Sequence, residues 1–298
     1  MLIRVIRGQV EYFLSMKINL VQDSYGKSAI RIAKISRRKE EHDFKEIHVN
    51  IQLEGDFETV YTEGSNKNVL PTDTMKNTVF ALAKDHDLAT IEDFGLHLTD
   101  HFLSNNPQVS AVTIDLAQVR WERMKNDETW EPHTYIGGGN EQQTTTVRRT
   151  RDGVTVNSGL RGVRILKTTN SGFEGYIVEK FTTLPPTADR ILATEMEAVW
   201  TYENAQDLDF QKLRTSIRAE LLTTFANHHS YSVQESLYLM GQSVLENVGE
   251  VIEINFKLPN LHYLPINLKP FGMDNHNDVF VASGDAFGYI TGTLRREI

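Results

Sequence analysis

The chain of 298 residues contains no cysteine. This absence excludes disulfide bonds, thiolate catalysis, iron–sulfur clusters and zinc sites built on cysteine. Long apolar runs are also missing, since Arg4, Arg7 and Glu11 interrupt the apolar residues near the N-terminus. A membrane span needs about 20 predominantly apolar residues, so none is expected. No apolar stretch is followed by a small-residue cleavage site, so a signal peptide is not expected either.

The chain also lacks an excess of positive charge. The chain has 31 Lys and Arg residues against 40 Asp and Glu residues, which gives a formal net charge of -9. An acidic chain repels phosphate backbones and anionic lipid surfaces, so neither nucleic acid nor a membrane is expected as a partner. Hydrophobic residues make up 40% of the chain, which is enough for two domains that each bury a core.

The residue patterns that are present indicate an α+β protein. Polar and apolar residues alternate from His48 to Glu54, which is typical of a half-buried strand, and apolar residues recur at helical spacing after Pro71 and again after Thr90. Further strands are expected at 109–124, 154–167, 191–202, 250–257 and 279–294, and further helices at 210–225 and 233–245. The order strand, strand, helix, helix, strand, strand thus occurs twice. It predicts antiparallel sheets with helices on one face.

A segment rich in glycine, glutamine and threonine, residues 136–146, is interpreted as a linker or an exposed loop. We therefore divide the chain into an N-terminal extension at 1–24, a first domain at 25–143 and a second domain at 144–298. Sheets covered on one face only leave open edges, and edges need pairing or protection. Joining of sheets edge to edge in an oligomer would supply that protection.

Possible metal sites are weak in this sequence. His97 and His101 have the strongest metal-like spacing, but Leu98 stands where a zinc-binding helix has Glu, and no third ligand is evident. We interpret them as a pair on a helix face. Segment 274–278 lacks the glycine of a calcium loop and is interpreted as a polar turn. The histidine pair at 228–229 is interpreted as part of a loop facing solvent.

The segment Leu70 to Thr78 indicates the start of a helix, with Thr72 or Asp73 as its N-cap. Free backbone N–H groups at such a start can bind an anion, so the same residues could build a binding site. Arg190, Gln234 and Phe173 are each compatible with ordinary structural roles. Local patterns alone therefore name no substrate.

Six motifs, taken together, resemble those of the urate oxidase (uricase) family. They are Tyr25-Gly26-Lys27, Leu70 to Thr78, Leu166 to Phe173, Asp189 to Thr194, Ser232-Val233-Gln234 and Leu258 to Tyr263. One such motif would carry little weight. Six in the family's order are specific. The resemblance runs from Tyr25 to near the C-terminus, and the first two dozen residues lie outside it.

The resemblance implies the tunnelling fold (T-fold), in which each chain carries two similar halves in tandem. Four chains would stack into a barrel around a tunnel, so a homotetramer is expected. The family builds each active site from two subunits. By resemblance, Lys27, Thr72 and Asp73 come from one subunit and the remaining site residues from its neighbour.

The resemblance also implies the reaction. The family converts urate, molecular oxygen and water to 5-hydroxyisourate and hydrogen peroxide in purine degradation, with no metal and no organic cofactor. Carried over by motif, the catalytic residues are Lys27, Thr72 and His262, which would form a proton relay. The substrate-binding residues are Thr72, Asp73, Phe173, Arg190, Val233, Gln234 and Asn260.

Each implied role suits its residue type. Arg190 presents a planar fork of donors, and Gln234 offers a donor and an acceptor, so together they would grip one edge of the purine. Phe173 would stack on its flat ring. Val233 would contribute a backbone contact, and Asn260 would hold oxygen or water above the ring.

Two other hypotheses remain open at this stage. Other enzymes of the same fold act on pterins or guanine nucleotides, some of them with zinc. A purine-binding protein without catalysis is the second alternative, although binding alone needs no proton relay. The chain ends Leu294 to Ile298 rather than in a Ser-Lys-Leu tail, which favours a cytoplasmic location over a peroxisomal one.

Overall fold

The computed structural model describes residues 2–6, 9–13, 18–284 and 286–297. Its strands are β1 Leu2–Ile6, β2 Gln9–Phe13, β3 Tyr25–Arg37, β4 His42–Gly55, β5 Val109–Asn126, β6 Thr129–Thr150, β7 Val154–Lys167, β8 Leu192–Tyr202, β9 Val251–Leu261, β10 Tyr263–Pro265, β11 Phe280–Ala282 and β12 Gly288–Arg295. Its helices are α1 Glu58–Glu63, α2 Thr72–Asp85, α3 Ile91–Asn105, α4 Phe210–Asn227 and α5 Val233–Asn247, with a short 3-10 turn at Lys269–Phe271.

Eight strands form one antiparallel sheet in the order β12-β9-β8-β7-β6-β5-β4-β3. Strands β1 and β2 form a separate hairpin, and β10 pairs with β11. The predicted antiparallel α+β class is thus confirmed. Within the chain the two halves share one sheet, because β6 pairs with β5 and with β7.

Buried side chains define one covered face of this sheet. In β4, Ile47, Val49, Ile51 and Leu53 are buried, whereas Asn50 between them is exposed, as the period of two requires. Helices α2 and α3 pack over the first half of the sheet, and α5 packs over the second half alongside α4. The helices therefore lie on one face, and the opposite face is polar.

The buried apolar residues separate into two clusters. One uses residues between 30 and 116, and the other uses residues between 147 and 258. Each half therefore has its own core, as the element order suggested. The predicted boundary at 143/144 falls inside β6, and the tandem T-fold domains and the barrel stay predictions.

Residues 136–146 are not the loop that their glycine content suggested, and that interpretation is wrong. They belong to β6, where Gln142 and Gln143 pair with β5 on one side and β7 on the other. Ladder hydrogen bonds from neighbouring strands override the weak strand propensity of glycine. At Gly138, an added Cβ would lie 2.4 Å from the side chain of Arg120, so a larger residue there would displace that side chain.

The expected strand at 279–294 is also interrupted. Phe280–Ala282 pairs with Tyr263–Pro265, away from the large sheet, and only Gly288–Arg295 joins β9 at the sheet edge. The two short strands, β11 and β12, thus belong to different sheets. No helix among the described residues is long and apolar enough to cross a membrane.

A buried ion pair joins the two halves. Glu92 of α3 is 0% exposed and Arg214 of α4 is 3% exposed, and their side chains contact each other directly. Arg214 also donates to Gln143 Oε1 at 2.6 Å, and Ser158 of β7 donates to Glu92. The polar cluster therefore connects α3, α4, β6 and β7 beneath the helices.

Candidate active site

A cavity of about 430 Å³ opens at the end of β9 in the second half of the chain. Six of the residues implied by the sequence line it: Phe173, Arg190, Val233, Gln234, Asn260 and His262. These residues come from two loops, a helix start and a strand end, so the fold rather than the sequence order brings them together.

Arg190 and Phe173 form one wall of this cavity. The guanidinium carbon of Arg190 lies 5.3 Å from the centre of the Phe173 ring, within the range of a cation–π contact. Burial lowers the pKa of Arg190 from its ordinary value. Its Nε is buried with no hydrogen-bond partner among the described residues. The guanidinium is thus held at the cavity wall with one of its donors unpaired.

Backbone hydrogen bonds fix this wall. The N–H of Arg190 donates to the carbonyl of Ser171 at 2.7 Å. Phe173 and Thr187 exchange backbone hydrogen bonds of 2.7 and 3.1 Å. The loop that carries Phe173 is therefore tied to the segment that carries Arg190.

Tyr176 supports the Phe173 ring, a role that the sequence did not reveal. The two rings stack with centres 4.9 Å apart and planes 16° apart, and the Tyr176 hydroxyl donates to the carbonyl of Leu184 at 2.5 Å. Stacking on Tyr176 sets the plane of Phe173. The spacing of two aromatics in a loop gives no hint of this contact, because it depends on how the loop folds back.

The start of α5 forms a second wall. Ser232 caps the helix and accepts a hydrogen bond from the N–H of Glu235 at 3.0 Å, while Glu235 accepts from the N–H of Tyr231 at 2.8 Å. These two hydrogen bonds fix where the first turn begins. Val233 and Gln234 follow directly, so their backbone N–H groups lie at the positive end of the helix dipole.

Asn260 and His262 come from the end of β9 and the residue after it. Asn260 is paired with Thr194 of β8 and Gly288 of β12, which places it in the interior of the sheet. The carbonyl of His262 accepts from the N–H of Ser283 at 3.0 Å. The sheet therefore fixes an amide and an imidazole at the mouth of the same cavity.

Lys27 lies in β3, beside an irregularity in the pairing with β4. The register shifts between Lys27 and Ile30, and Ala29 adopts a positive φ of 59° while its N–H donates to Asn50 Oδ1 at 2.9 Å. Such bulges redirect side chains and are frequent beside active sites. At Gly26, an added Cβ would lie 1.8 Å from the carbonyl oxygen of Ile51, so only glycine permits this approach.

Thr72 begins α2, and the predicted N-cap is wrong by one or two residues. The N-cap is Pro71, which has no side chain that can accept a hydrogen bond. Within the described residues the Thr72 hydroxyl makes no hydrogen bond, so it is not used to cap its own helix. A half-buried, unengaged hydroxyl at a helix start is available to a ligand.

Tyr25 connects these two elements. Its hydroxyl accepts from the N–H of Leu70 at 2.8 Å and lies 3.2 Å from the Leu70 carbonyl, which ties the segment before Thr72 to the strand that carries Lys27. Asp73 bonds to Lys76, and this hydrogen bond, the charge of Lys76 and that of Lys27 hold the pKa of Asp73 below its ordinary value. Lys27 is therefore close enough to Asp73 for its charge to act on that carboxylate.

One chain does not bring all nine residues together. Lys27, Thr72 and Asp73 belong to the first half and do not line the 430 Å³ cavity. That arrangement is compatible with a site shared between two chains, and the assignment of these residues stays a prediction.

The histidines considered as metal ligands lie elsewhere. His97 and His101 project from α3, and the ring of His86 lies 5.4 Å from that of His97. Across the described part of the chain, no three His, Asp or Glu side chains are grouped so that they could hold a metal ion.

The fold and the cavity define an α+β protein with a pocket lined by aromatic, cationic and amide side chains. The uricase family profile matches residues 23–148 and 156–291. The chain is 38% identical to the uricase of Arthrobacter globiformis over 94% of this chain and 91% of that protein. It is 34% identical to the uricase of Oryctolagus cuniculus over 94% of this chain and 96% of that protein.

Solved structures agree with the sequence relatives. The crystal structure of the Arthrobacter globiformis uricase superposes with a TM-score of 0.90 over 95% of this chain and 96% of that chain, at 38% identity. The chain belongs to the uricase family, and its relatives indicate an oxidoreductase.

Proposed function

We propose that the protein is a urate oxidase that converts urate, oxygen and water to 5-hydroxyisourate and hydrogen peroxide. The observation that carries the proposal is the cavity at the end of β9. Six residues implied by the family motifs, which lie up to 89 positions apart between Phe173 and His262, line this one cavity. Membership of the uricase family supports the same reaction.

Urate binding follows from the chemistry of the cavity walls. Urate is a flat anion with alternating oxygen and nitrogen atoms along its edges. The Arg190 fork would neutralise its charge, and Gln234 would pair with both a donor and an acceptor on the same edge. Phe173, supported by Tyr176, would stack on the ring, and the Val233 backbone would add a further contact.

Proton transfer would be the work of Lys27, Thr72 and His262. A threonine hydroxyl is a poor base by itself, so a neighbouring amine is needed to make it useful. The imidazole of His262 can donate or accept a proton, and Asn260 would hold oxygen or water beside the ring. Because Lys27, Thr72 and Asp73 are absent from the cavity of one chain, a second chain would supply them. We therefore propose a homotetramer with shared sites.

We further propose that no metal or organic cofactor takes part. Electron-rich urate itself would give an electron to oxygen, and the protein would bind the anion, move the proton and shape the space for oxygen. A cytoplasmic location remains a prediction from the sequence.

The test is a urate assay on exhaustively chelated protein. Urate absorbance should fall, and one hydrogen peroxide should form for each urate consumed. Activity that disappears with the chelator and returns with zinc would contradict cofactor independence. Turnover of a pterin with urate untouched would replace the proposed reaction, and urate binding without consumption would indicate a binding protein.

A further inference from the structure

Three hydrogen-bonded side chains lie behind the cavity, outside the residues assigned to binding or proton transfer. His228 Nε2 is 2.8 Å from Ser236 Oγ, and Ser236 Oγ is 2.7 Å from Ser230 Oγ. Ser230 is 0% exposed and Ser236 is 1% exposed. The earlier interpretation of His228 as a solvent-facing loop residue is wrong, since it is half-buried at the end of α4.

The partners of His228 determine which nitrogen carries its proton. Nδ1 is 2.7 Å from the carbonyl oxygen of Thr224, and a carbonyl only accepts hydrogen bonds. Nδ1 therefore carries a proton, and in the neutral ring Nε2 accepts from the hydroxyl of Ser236. Both nitrogens are engaged, so the imidazole links the end of α4 to the first turn of α5.

The chain of hydrogen bonds continues into the loop that carries Phe173. The N–H of Ser230 donates to the carbonyl of Asn170, and the N–H of Gly172 donates to the carbonyl of Ser230, both at 2.8 Å. Ser171 lies between Asn170 and Gly172, and its carbonyl accepts a hydrogen bond from the N–H of Arg190 at 2.7 Å. Hydrogen bonds and short stretches of main chain thus link His228 to the main chain of Arg190.

Lys167 holds the same junction from β7. Its Nζ donates to the carbonyl of His228 at 2.5 Å and lies 5.1 Å from the centre of the Phe225 ring. Burial lowers the pKa of Lys167. The end of α4 is therefore fixed to the sheet as well as to α5.

We propose that His228 and Ser236 are positioning residues that set the distance between the two binding walls of the cavity. One wall is the first turn of α5, with Val233 and Gln234, and the other carries Phe173 and Arg190. Among the described residues, the two walls are joined through the main chain of Ser230, which forms an isolated parallel bridge with Ser171 and lies three residues before Val233. The side chains of His228 and Ser236 hold this junction from the α5 side. The inference rests on the proposed function, because it assumes that both walls contact urate.

Such a role affects binding more than chemistry. Loss of the hydrogen bonds through Ser236 would let the two walls move relative to each other by a fraction of an ångström. That movement would weaken every urate contact that depends on the spacing of the walls. Loss of a hydrogen bond of ordinary strength changes an equilibrium constant by about two- to tenfold, so weaker contacts to both walls should cost about five- to tenfold in affinity. We therefore expect KM for urate to rise by that factor, with kcat changed by less than about twofold.

The first test compares Ser236→Ala with Ser243→Ala. Both serines lie on α5 and lose one hydroxyl, but Ser243 donates to Glu220 Oε2 at 2.6 Å, two turns away from the cavity. Thermal unfolding reports the structural cost of each change. We expect Ser236→Ala to raise KM and to weaken anaerobic urate binding by calorimetry by the same factor, whereas Ser243→Ala changes neither. Equal KM values for the two variants would overturn the inference.

The second test replaces His228 with residues that keep one hydrogen bond each. In His228→Gln the amide extends to Ser236, whereas in His228→Asn the shorter amide reaches only the Thr224 carbonyl. We expect Gln to restore the unaltered KM and Asn to show the raised KM. A KM restored by Asn, or raised equally in both variants, would contradict a link through Ser236.

The unaltered protein separates this inference from the proposed function. If it neither binds nor oxidises urate, both statements fail. If it oxidises urate and the Ser236 and His228 variants leave KM unchanged, only the positioning role fails.

Discussion

Arg190 and Phe173 lie against each other at the cavity wall, with the guanidinium carbon 5.3 Å from the ring centre. The ring is stacked on its other partner, Tyr176, and the guanidinium has a buried Nε without a partner among the described residues. A cation held in place but incompletely hydrogen-bonded is prepared for an anionic ligand. Burial lowers its pKa, yet arginine keeps its charge at neutral pH.

Arg190→Ala should chiefly weaken urate binding. A hydrogen bond to a charged group contributes about 1.5–3 kcal/mol, which corresponds to about a 10- to 150-fold rise in KM. Arg190→Lys keeps the charge but not the planar fork, so its KM should lie between those of the unaltered protein and Arg190→Ala. Steady-state kinetics and anaerobic urate titration measure this; unchanged KM in Arg190→Ala would mean that Arg190 is not a urate ligand.

Thr72→Ala should chiefly lower turnover. The hydroxyl is half-buried and makes no hydrogen bond within the described residues, so its removal leaves no buried partner unsatisfied. A positioned proton-transfer group contributes about 100- to 10,000-fold, and a loss of kcat in that range is expected with KM little changed. Thr72→Ser retains the hydroxyl and is the matched control. Equal kcat in the Ala and Ser variants would remove Thr72 from the relay.

Coexpression of the two defective chains tests whether sites are shared. Lys27 and Thr72 lie in the first half, whereas Arg190 lines the cavity of the second half. In a mixed oligomer of Thr72→Ala and Arg190→Ala chains, some sites would combine the intact half of each. Activity should then exceed that of either variant alone. A Thr72→Ala, Arg190→Ala double variant coexpressed with itself is the control and should stay inactive, and failure of the mixture to recover activity would argue for sites within one chain.

The sequence predicted most helices and strands because their apolar periodicity survives in the fold. It failed at 136–146, where three glycines hid a strand that two neighbours stabilise, and at 279–294, where one apolar segment divides between two sheets. Strand pairing is a long-range property, and local composition does not encode it.

The candidate site shows the same limit. Motif resemblance predicted Arg190 and Phe173 as site residues, whereas the contacts of Tyr176 and His228 exist only after distant segments pack together. Read alone, the 228–229 histidines suggested an exposed loop. Nothing in the spacing of His228, Ser230 and Ser236 marks them as one hydrogen-bonded chain, because an intervening turn and helix start bring them together.

Removal of one partner of the buried Glu92–Arg214 pair should destabilise the fold strongly. Breaking a buried pair leaves an uncompensated charge, which costs about 3–5 kcal/mol, whereas replacing both partners with apolar residues is often neutral. We expect Arg214→Met to lower the free energy of unfolding by that amount, and Glu92→Leu combined with Arg214→Met to recover most of it. Denaturant unfolding measures both.

The exposed Arg164–Glu195 contact supplies the control for that comparison. The side chain of Arg164 is 68% exposed, so solvent screens the pair and Glu195→Gln should have a much smaller effect. If Arg214→Met were no more destabilising than Glu195→Gln, the buried pair would not hold the two halves together.

Glu141 should make stability depend on pH in the acidic range. Arg218 donates to both of its oxygens at 2.8 and 2.9 Å, and Arg120 donates to one at 2.8 Å. Burial raises the pKa of Glu141, but the hydrogen bond from Arg218 and the charges of both arginines outweigh it and hold the pKa below its ordinary value of 4.5. The folded state therefore favours the ionised carboxylate.

It follows that the stabilisation by Glu141 is complete above the ordinary value and is lost as pH falls through the lower pKa of the folded state. Glu141→Gln should therefore lower the unfolding temperature at pH 7, and the difference from the unaltered protein should shrink steadily below about pH 4.5. Exposed Glu128 provides the control. The unfolding temperature of Glu128→Gln should stay close to that of the unaltered protein at both neutral and acidic pH. A Glu141→Gln deficit that stayed constant across this range would mean that packing, and not the charge of the carboxylate between the two arginines, stabilises the junction of β5, β6 and α4.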